Sequence, residues 1–229
     1  MQLETIVNTI TNIFAVTTFI FCLKTVLKLR KKDKNEITYS LRNILTTIVT
    51  GYLIWVVAEF IYTYLSLTEY VDPGTWADYL WLSGYAFTIP GFIWLCLFTF
   101  NKHKELIEET LKLALISTIS LFATFVILER LIGTNPVEFD IIYLYIYPLA
   151  STLLLVLTST TARWFIKTPL STPFTLFAAG FAADLLGDFI YVYAQSRPVE
   201  SLIPVSDSAY ALGYAFTTIS FYILSQRKK

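Results

Sequence analysis

Acidic residues recur inside apolar stretches of this chain, and their spacing places them on shared helix faces. Phe181, Asp184, Asp188, Tyr191 and Gln195 advance in steps of three, four, three and four, the stride of one face of an α-helix. Tyr52, Trp55, Glu59 and Tyr62 do the same. Two further stripes each open on an acid: Asp78, Trp81, Tyr85, Thr88 and Asp207, Tyr210, Tyr214, Thr217. A carboxylate at bilayer depth costs about 2.5–3.5 kcal/mol on insertion scales, so these groups are expected to face a bundle interior. No Lys or Arg shares their depth. They must be protonated, hydrogen-bonded to tyrosine hydroxyls and backbone, or engaged with a cation. Acids framed by aromatic faces suit a cationic ligand, through charge and cation–π attraction.

The expected ligand- or ion-binding set is Glu59, Asp184, Asp188, Tyr62, Tyr85, Tyr191, Tyr214 and Trp55. Asp78 and Asp207 stand at expected helix starts, where a carboxylate caps free N–H groups, and are read as helix caps or pocket rim. Plainer readings run alongside. Glu59 and Asp188 also suit a hydrogen-bonded pair joining two halves of the protein. Most of the tyrosines suit an interfacial belt. Glu129 is expected near the same level as the other acids.

Other chemistries fit poorly. His103 is the sole histidine and falls in a loop, so a histidine-ligated zinc or haem site is not expected. There is no Walker loop, nucleotide fingerprint or Ser/His/Asp set. The last apolar span lacks a lysine, which excludes a retinal Schiff base there, and no cofactor or metal is expected. Cys22 and Cys96 are isolated and read as inert core thiols. The chain is read as a non-enzyme.

The elements that must carry these groups are membrane spans. Charged residues make up 15% of the chain and hydrophobic ones 55%, where a soluble protein carries about 25% charged residues. Mean hydropathy is +0.61. The apolar surplus falls into runs of about 20 residues, enough to cross a hydrocarbon core of about 30 Å. Seven spans are expected, over 5–27, 43–66, 77–99, 111–131, 139–160, 173–195 and 207–225. The first has no basic residue ahead of it and Lys24, Lys28, Arg30, Lys31, Lys32 and Lys34 after it, the reverse of a cleavable signal peptide. Basic residues gather after spans 1, 3, 5 and 7 (Arg42, Lys102, Lys104, Lys112, Arg163, Lys167, Arg227, Lys228, Lys229). The other loops hold Arg130 and Arg197 beside Glu69, Asp72, Glu138, Asp140 and Glu200. Basic loops stay cytoplasmic, so the N-terminus is expected outside and the C-terminus inside a cell membrane. The formal net charge is zero, and no nucleic-acid partner is expected. Low Met, Gln and His beside many Tyr, Phe and Ile point towards a thermophile.

The chain also repeats itself. Residues 51–88 match 180–217 without a gap, every pair 129 residues apart: Gly51, Phe60, Tyr62, Tyr64, Asp78, Gly84, Tyr85, Ala86, Phe87 and Thr88 recur as Gly180, Phe189, Tyr191, Tyr193, Asp207, Gly213, Tyr214, Ala215, Phe216 and Thr217. Glu59 falls opposite Asp188, whereas Asp184 has no counterpart because Trp55 takes its place. Such a repeat marks a duplicated supersecondary unit. The expectation is one all-α, seven-helix membrane domain with a parallel 3+1+3 internal repeat, its units about 1–100 and 134–229 and a linking helix at about 111–131. Pro90 and Pro148 are expected to bend their helices. Pro169 and Pro173 suit the start of the sixth, Asp72-Pro73-Gly74 is a turn signal, and Pro198 and Pro204 shape the sixth loop. Gly51, Gly84, Gly180, Gly187 and Gly213 suit close helix packing.

Trp76-Ala77-Asp78-Tyr79-Leu80-Trp81-Leu82-Ser83-Gly84-Tyr85 and Ser206-Asp207-Ser208-Ala209-Tyr210-Ala211-Leu212-Gly213-Tyr214 resemble the Ala-Asp…Tyr…Gly-Tyr pattern of uncharacterised seven-helix membrane regions of archaea and bacteria. Some regions of that kind precede diguanylate cyclase or other signalling modules. The resemblance covers about a third of the chain and implies a sensory or ligand-receiving module. The chain ends soon after the seventh span, so signalling is expected to need a separate partner. Rhodopsins and sugar transporters share the topology by analogy of form alone. The leading expectation is a receptor-like protein with an outward-facing acidic and aromatic pocket for a small cationic or amphipathic ligand. The alternative is a proton- or cation-coupled secondary transporter, and a structural role is a third reading.

Overall fold

An apolar segment in a bilayer has to satisfy its backbone internally, and a helix does so within a single segment. The computed structural model describes residues 2–30, 36–68, 75–101, 106–132, 141–197 and 199–226. Among them the chain forms α1 (Gln2–Arg30), α2 (Glu36–Thr68), α3 (Trp76–Asn101), α4 (Leu106–Ile132), α5 (Ile141–Trp164), α6 (Ser171–Ser196) and α7 (Ile203–Gln226). One 3₁₀ turn (Glu200–Leu202) leads into α7, and no strand occurs among the described residues. Lys31, Lys32, Lys34, Glu69, the Asp72-Pro73-Gly74 turn, Lys102, His103, Lys104, Glu138, Asp140, Pro198, Arg227, Lys228 and Lys229 fall outside the described residues.

The helices outrun the apolar runs that announce them. The expected second span starts at residue 43, yet α2 begins at Glu36, because hydropathy marks the part of a helix in lipid while its hydrogen bonds continue into the interface. Six helices, α1 to α6, are long and apolar enough to cross a membrane. The seventh is long enough but less apolar. Its polar residues Ser206, Asp207, Thr217, Thr218, Ser220 and Ser225 are buried among its neighbours, so they cost hydropathy without meeting lipid. Pro90 and Pro148 both lie inside helices, in α3 and α5. Pro173 falls in the first turn of α6, where a missing N–H is no loss.

Packing closes the helices into a ring. Round it run α1, α2, α3, α5, α6 and α7, with α7 returning to α1, while α4 lies outside against α5, α6 and α3. Exposed Ile107, Leu111, Leu115, Ile119 and Phe122 cover the outer side of α4, a face suited to lipid. Two crossings are tight for the same reason. A Cβ on Gly51 would lie 2.8 Å from Gly84 O, and one on Gly180 would lie 3.0 Å from Gly213 O. Residues 129 positions apart thus make the α2–α3 and α6–α7 approaches alike.

Inside the ring an aromatic layer joins α2, α3, α6 and α7. Phe221 meets Tyr52 and Phe177 with ring centroids 5.7 and 4.8 Å apart, and Phe92 meets Phe177 and Phe181 at 5.7 and 5.5 Å. Edge-to-face pairs of this kind add to the packing of a dry interior. The two buried thiols sit in the same core, Cys96 Sγ lying 3.0 Å from Thr161 Oγ1 between α3 and α5.

Candidate functional site

Each acidic stripe brings a carboxylate to the same end of the ring. On α2, Glu59 is 8% exposed, and its Oε1 accepts the Trp81 indole N–H from α3 (3.1 Å) and the Tyr214 hydroxyl from α7 (3.0 Å). On α6, Asp188 is 3% exposed and its Oδ1 accepts the Tyr210 hydroxyl of α7 (2.9 Å). Trp81–Glu59 and Tyr210–Asp188 are the same pair of sequence positions in the two repeated stretches. The tyrosines in the matching Gly-Tyr dipeptides behave alike as well. Tyr214 reaches α2, and Tyr85 Oη lies 3.1 Å from Ser151 Oγ on α5, so each leaves its own repeated stretch.

Asp184 departs from this symmetry. In the α2–α3 crossing the Trp55 ring fills the space above Gly84 and its Nε1 donates to Trp81 O (2.9 Å). In the α6–α7 crossing the Asp184 carboxylate stands above Gly213, where any Cβ would collide with its Oδ1. An indole on one side faces a smaller, charged group on the other. Space is left between them.

That space is a cavity of about 110 Å³. Glu59, Asp184, Asp188, Tyr62, Tyr85, Tyr191, Tyr214 and Trp55 all line it, and so do Asp78 and Asp207. Asp78 caps the start of α3, its Oδ2 accepting Thr75 N (2.9 Å) and Thr75 Oγ1 (3.1 Å), the carboxylate half of a capping box. Its Oδ1 accepts the Tyr147 hydroxyl of α5 (2.8 Å). Asp207 differs from the cap expected of it. The 3₁₀ turn and Pro204 start α7 a turn earlier, at Ile203, so Asp207 stands inside the helix, buried against the cavity. Glu129 does not join the others: it is exposed at the outer helix α4 and accepts the Tyr145 hydroxyl (2.8 Å).

Several lining residues escaped the sequence reading. Asn8 and Thr11 come from α1 and Tyr147 from α5, neither helix being part of the matched stretches. Tyr143, Tyr147 and Ser151 recur at steps of four, a stripe without an acid to draw notice. Trp81 and Tyr210 were visible in their stripes, but a hydrogen-bond partner on another helix is set by packing alone.

A second cavity of about 330 Å³ opens at the opposite end of the ring, lined by Leu45, Ile48, Phe92, Phe177 and Phe221 among others, with Lys28 as its charged residue. The Lys28 ammonium donates to Ser225 O (2.9 Å). The Tyr52–Phe221 contact lies between the two cavities, since Tyr52 lines the first and Phe221 the second. No Lys, Arg or His among the described residues lines the acidic cavity, and its titratable groups are acids and tyrosines. Among the described residues, no three carboxylate, thiol or imidazole groups meet where a metal ion could sit. No family model, curated protein or solved structure matches the chain.

Proposed function

We propose that the protein is a receptor-like or sensory membrane protein that takes a small cationic or amphipathic ligand into its acidic, aromatic cavity. In this reading it crosses a cell membrane seven times, N-terminus outside and C-terminus inside, as two parallel three-helix units joined by α4. The cavity then faces outwards, and a separate signalling partner reads its occupancy. The observation carrying the proposal is the lining itself: Glu59, Asp184 and Asp188 share one cavity with aromatic rings and, among the described residues, no basic side chain. A cation supplies the missing charge, and the rings supply cation–π contact.

Two experiments test this. A membrane-impermeant maleimide is expected to label Ser201→Cys in intact cells and Ile166→Cys only after permeabilisation; the reverse pattern would sink the orientation. Organic cations are expected to raise the unfolding temperature, with about 2.7 kcal/mol of stabilisation at a hundredfold excess over Kd. Asp184→Asn is expected to lose that response. Cations that leave the unfolding temperature of the intact chain unchanged would refute the pocket.

One observation favours a carrier as second reading: cavities lie at both ends of the ring with aromatic side chains between them. Against a cation carrier, the second cavity is apolar and its charge is that of Lys28. Proteoliposome flux of protons or a labelled cation, lost in Asp184→Asn, would favour the carrier over the receptor.

A further inference from the structure

The acidic cavity has hydrogen-bond acceptors in surplus. Glu59 uses Oε1 for Trp81 and Tyr214, and Asp188 uses Oδ1 for Tyr210. Asp188 is 3% exposed, and its Oδ2 is buried with no hydrogen-bond partner. The Ser151 hydroxyl is a hydrogen-bonding neighbour of that carboxyl group and can accept from Tyr85, 3.1 Å away, but Tyr210 and Ser151 together fill only part of what a carboxylate can accept. Asp184 adds a further carboxylate above Gly213 in the same cavity. The buried Tyr52 hydroxyl has Thr217 as its hydrogen-bonding neighbour and donates one bond at most. Carboxylates ionised by a bound cation accept and never donate, so this wall then calls for a ligand rich in N–H groups.

Among the described residues, no three metal-ligating side chains meet at a point fit for a metal ion. An organic cation can set its apolar part against Trp55 and Tyr85, which share the lining with the carboxylates.

Resting on the reading of this cavity as a cation pocket, we infer that it selects its ligand by N–H donors and takes a small primary ammonium in preference to fully alkylated cations. The ammonium donates to Asp188 Oδ2 and Asp184 in charge-assisted bonds. A quaternary cation of equal charge leaves Asp188 Oδ2 buried and unfilled, and a site built to bond a donor rejects the analogue that lacks it.

Butylammonium, diethylammonium, ethyldimethylammonium and tetramethylammonium are isomers of one charge that lose N–H groups in that order. Each is titrated into the full chain in lipid nanodiscs and followed by calorimetry and thermal unfolding. Affinity is expected to fall along the series, by about tenfold or more from first to last. Equal affinity across the series would overturn the donor inference and leave the cation pocket standing. No binding by any isomer would overturn both. Asp188→Asn keeps an oxygen for Tyr210 and is expected to bind butylammonium and tetramethylammonium alike. A preference that survives in this variant would remove Asp188 from the proposal.

Discussion

Asp184→Trp is expected to be more stable than the parent by about 1–3 kcal/mol, the scale of burying one large apolar side chain, and unable to bind a cation. The other crossing supplies the reason. There Trp55 packs above Gly84 and donates to Trp81 O. Gly213 offers the same bare backbone below residue 184, and Tyr210 stands where Trp81 does in the repeated stretch, so its carbonyl is available to a second indole. The substitution removes an acid from membrane depth, which is favourable in itself, and fills a cavity of about 110 Å³. Chemical unfolding in detergent, paired with cation titration, checks both halves of the expectation. Asp184→Asn should lose binding with a smaller change in stability, because it removes charge without filling space. A strongly destabilised Asp184→Trp protein would mean that the two crossings do not present equivalent surfaces. Natural proteins keep such destabilising groups where function needs them, and Asp184 is the one acid of the cavity without a counterpart in the other repeat.

What could be read from the sequence follows from geometry local to one helix. A stride of three and four residues fixes a face, so Asp184, Asp188 and Tyr191 had to point the same way, and they line one cavity. The constant offset of 129 residues made Gly51 and Gly180 equivalent, and both meet the carbonyl of the partner glycine. Relations between helices were out of reach. Nothing in the stripes says that Tyr214 bonds Glu59 on α2 or that Tyr147 bonds Asp78. Those pairings depend on which helices adjoin round the ring. The separation of Glu129 from the cavity was illegible for that reason: α4 lies outside the ring. Asp207 missed the cap half of its reading through an end effect, since Pro204 read as loop while the backbone was already helical from Ile203.

Glu59→Ala is expected to cost about 3–5 kcal/mol, a larger loss than that of Asp188→Ala. Its Oε1 receives two donors, Trp81 Nε1 from α3 and the Tyr214 hydroxyl from α7. Leaving a buried donor unmatched costs about 1–3 kcal/mol, and both would be stranded, with a void beside them. Asp188, by comparison, accepts the Tyr210 hydroxyl, and its neighbour Ser151 also has Tyr85 as a partner. Glu59→Gln keeps the carbonyl oxygen and should stay within about 1 kcal/mol of the parent. The two bonds also differ in reach. Trp81 comes from the helix that follows α2 in the chain, whereas Tyr214 comes from the far end of the sequence and ties α7 to α2 across the ring. A double-mutant cycle of Glu59→Ala with Tyr214→Phe isolates the long-range bond, with a coupling of about 1–2 kcal/mol expected. Coupling near zero would mean that Tyr214 and Glu59 do not hold the two ends of the chain together, and the cavity would lose the brace that fixes its carboxylates around a ligand.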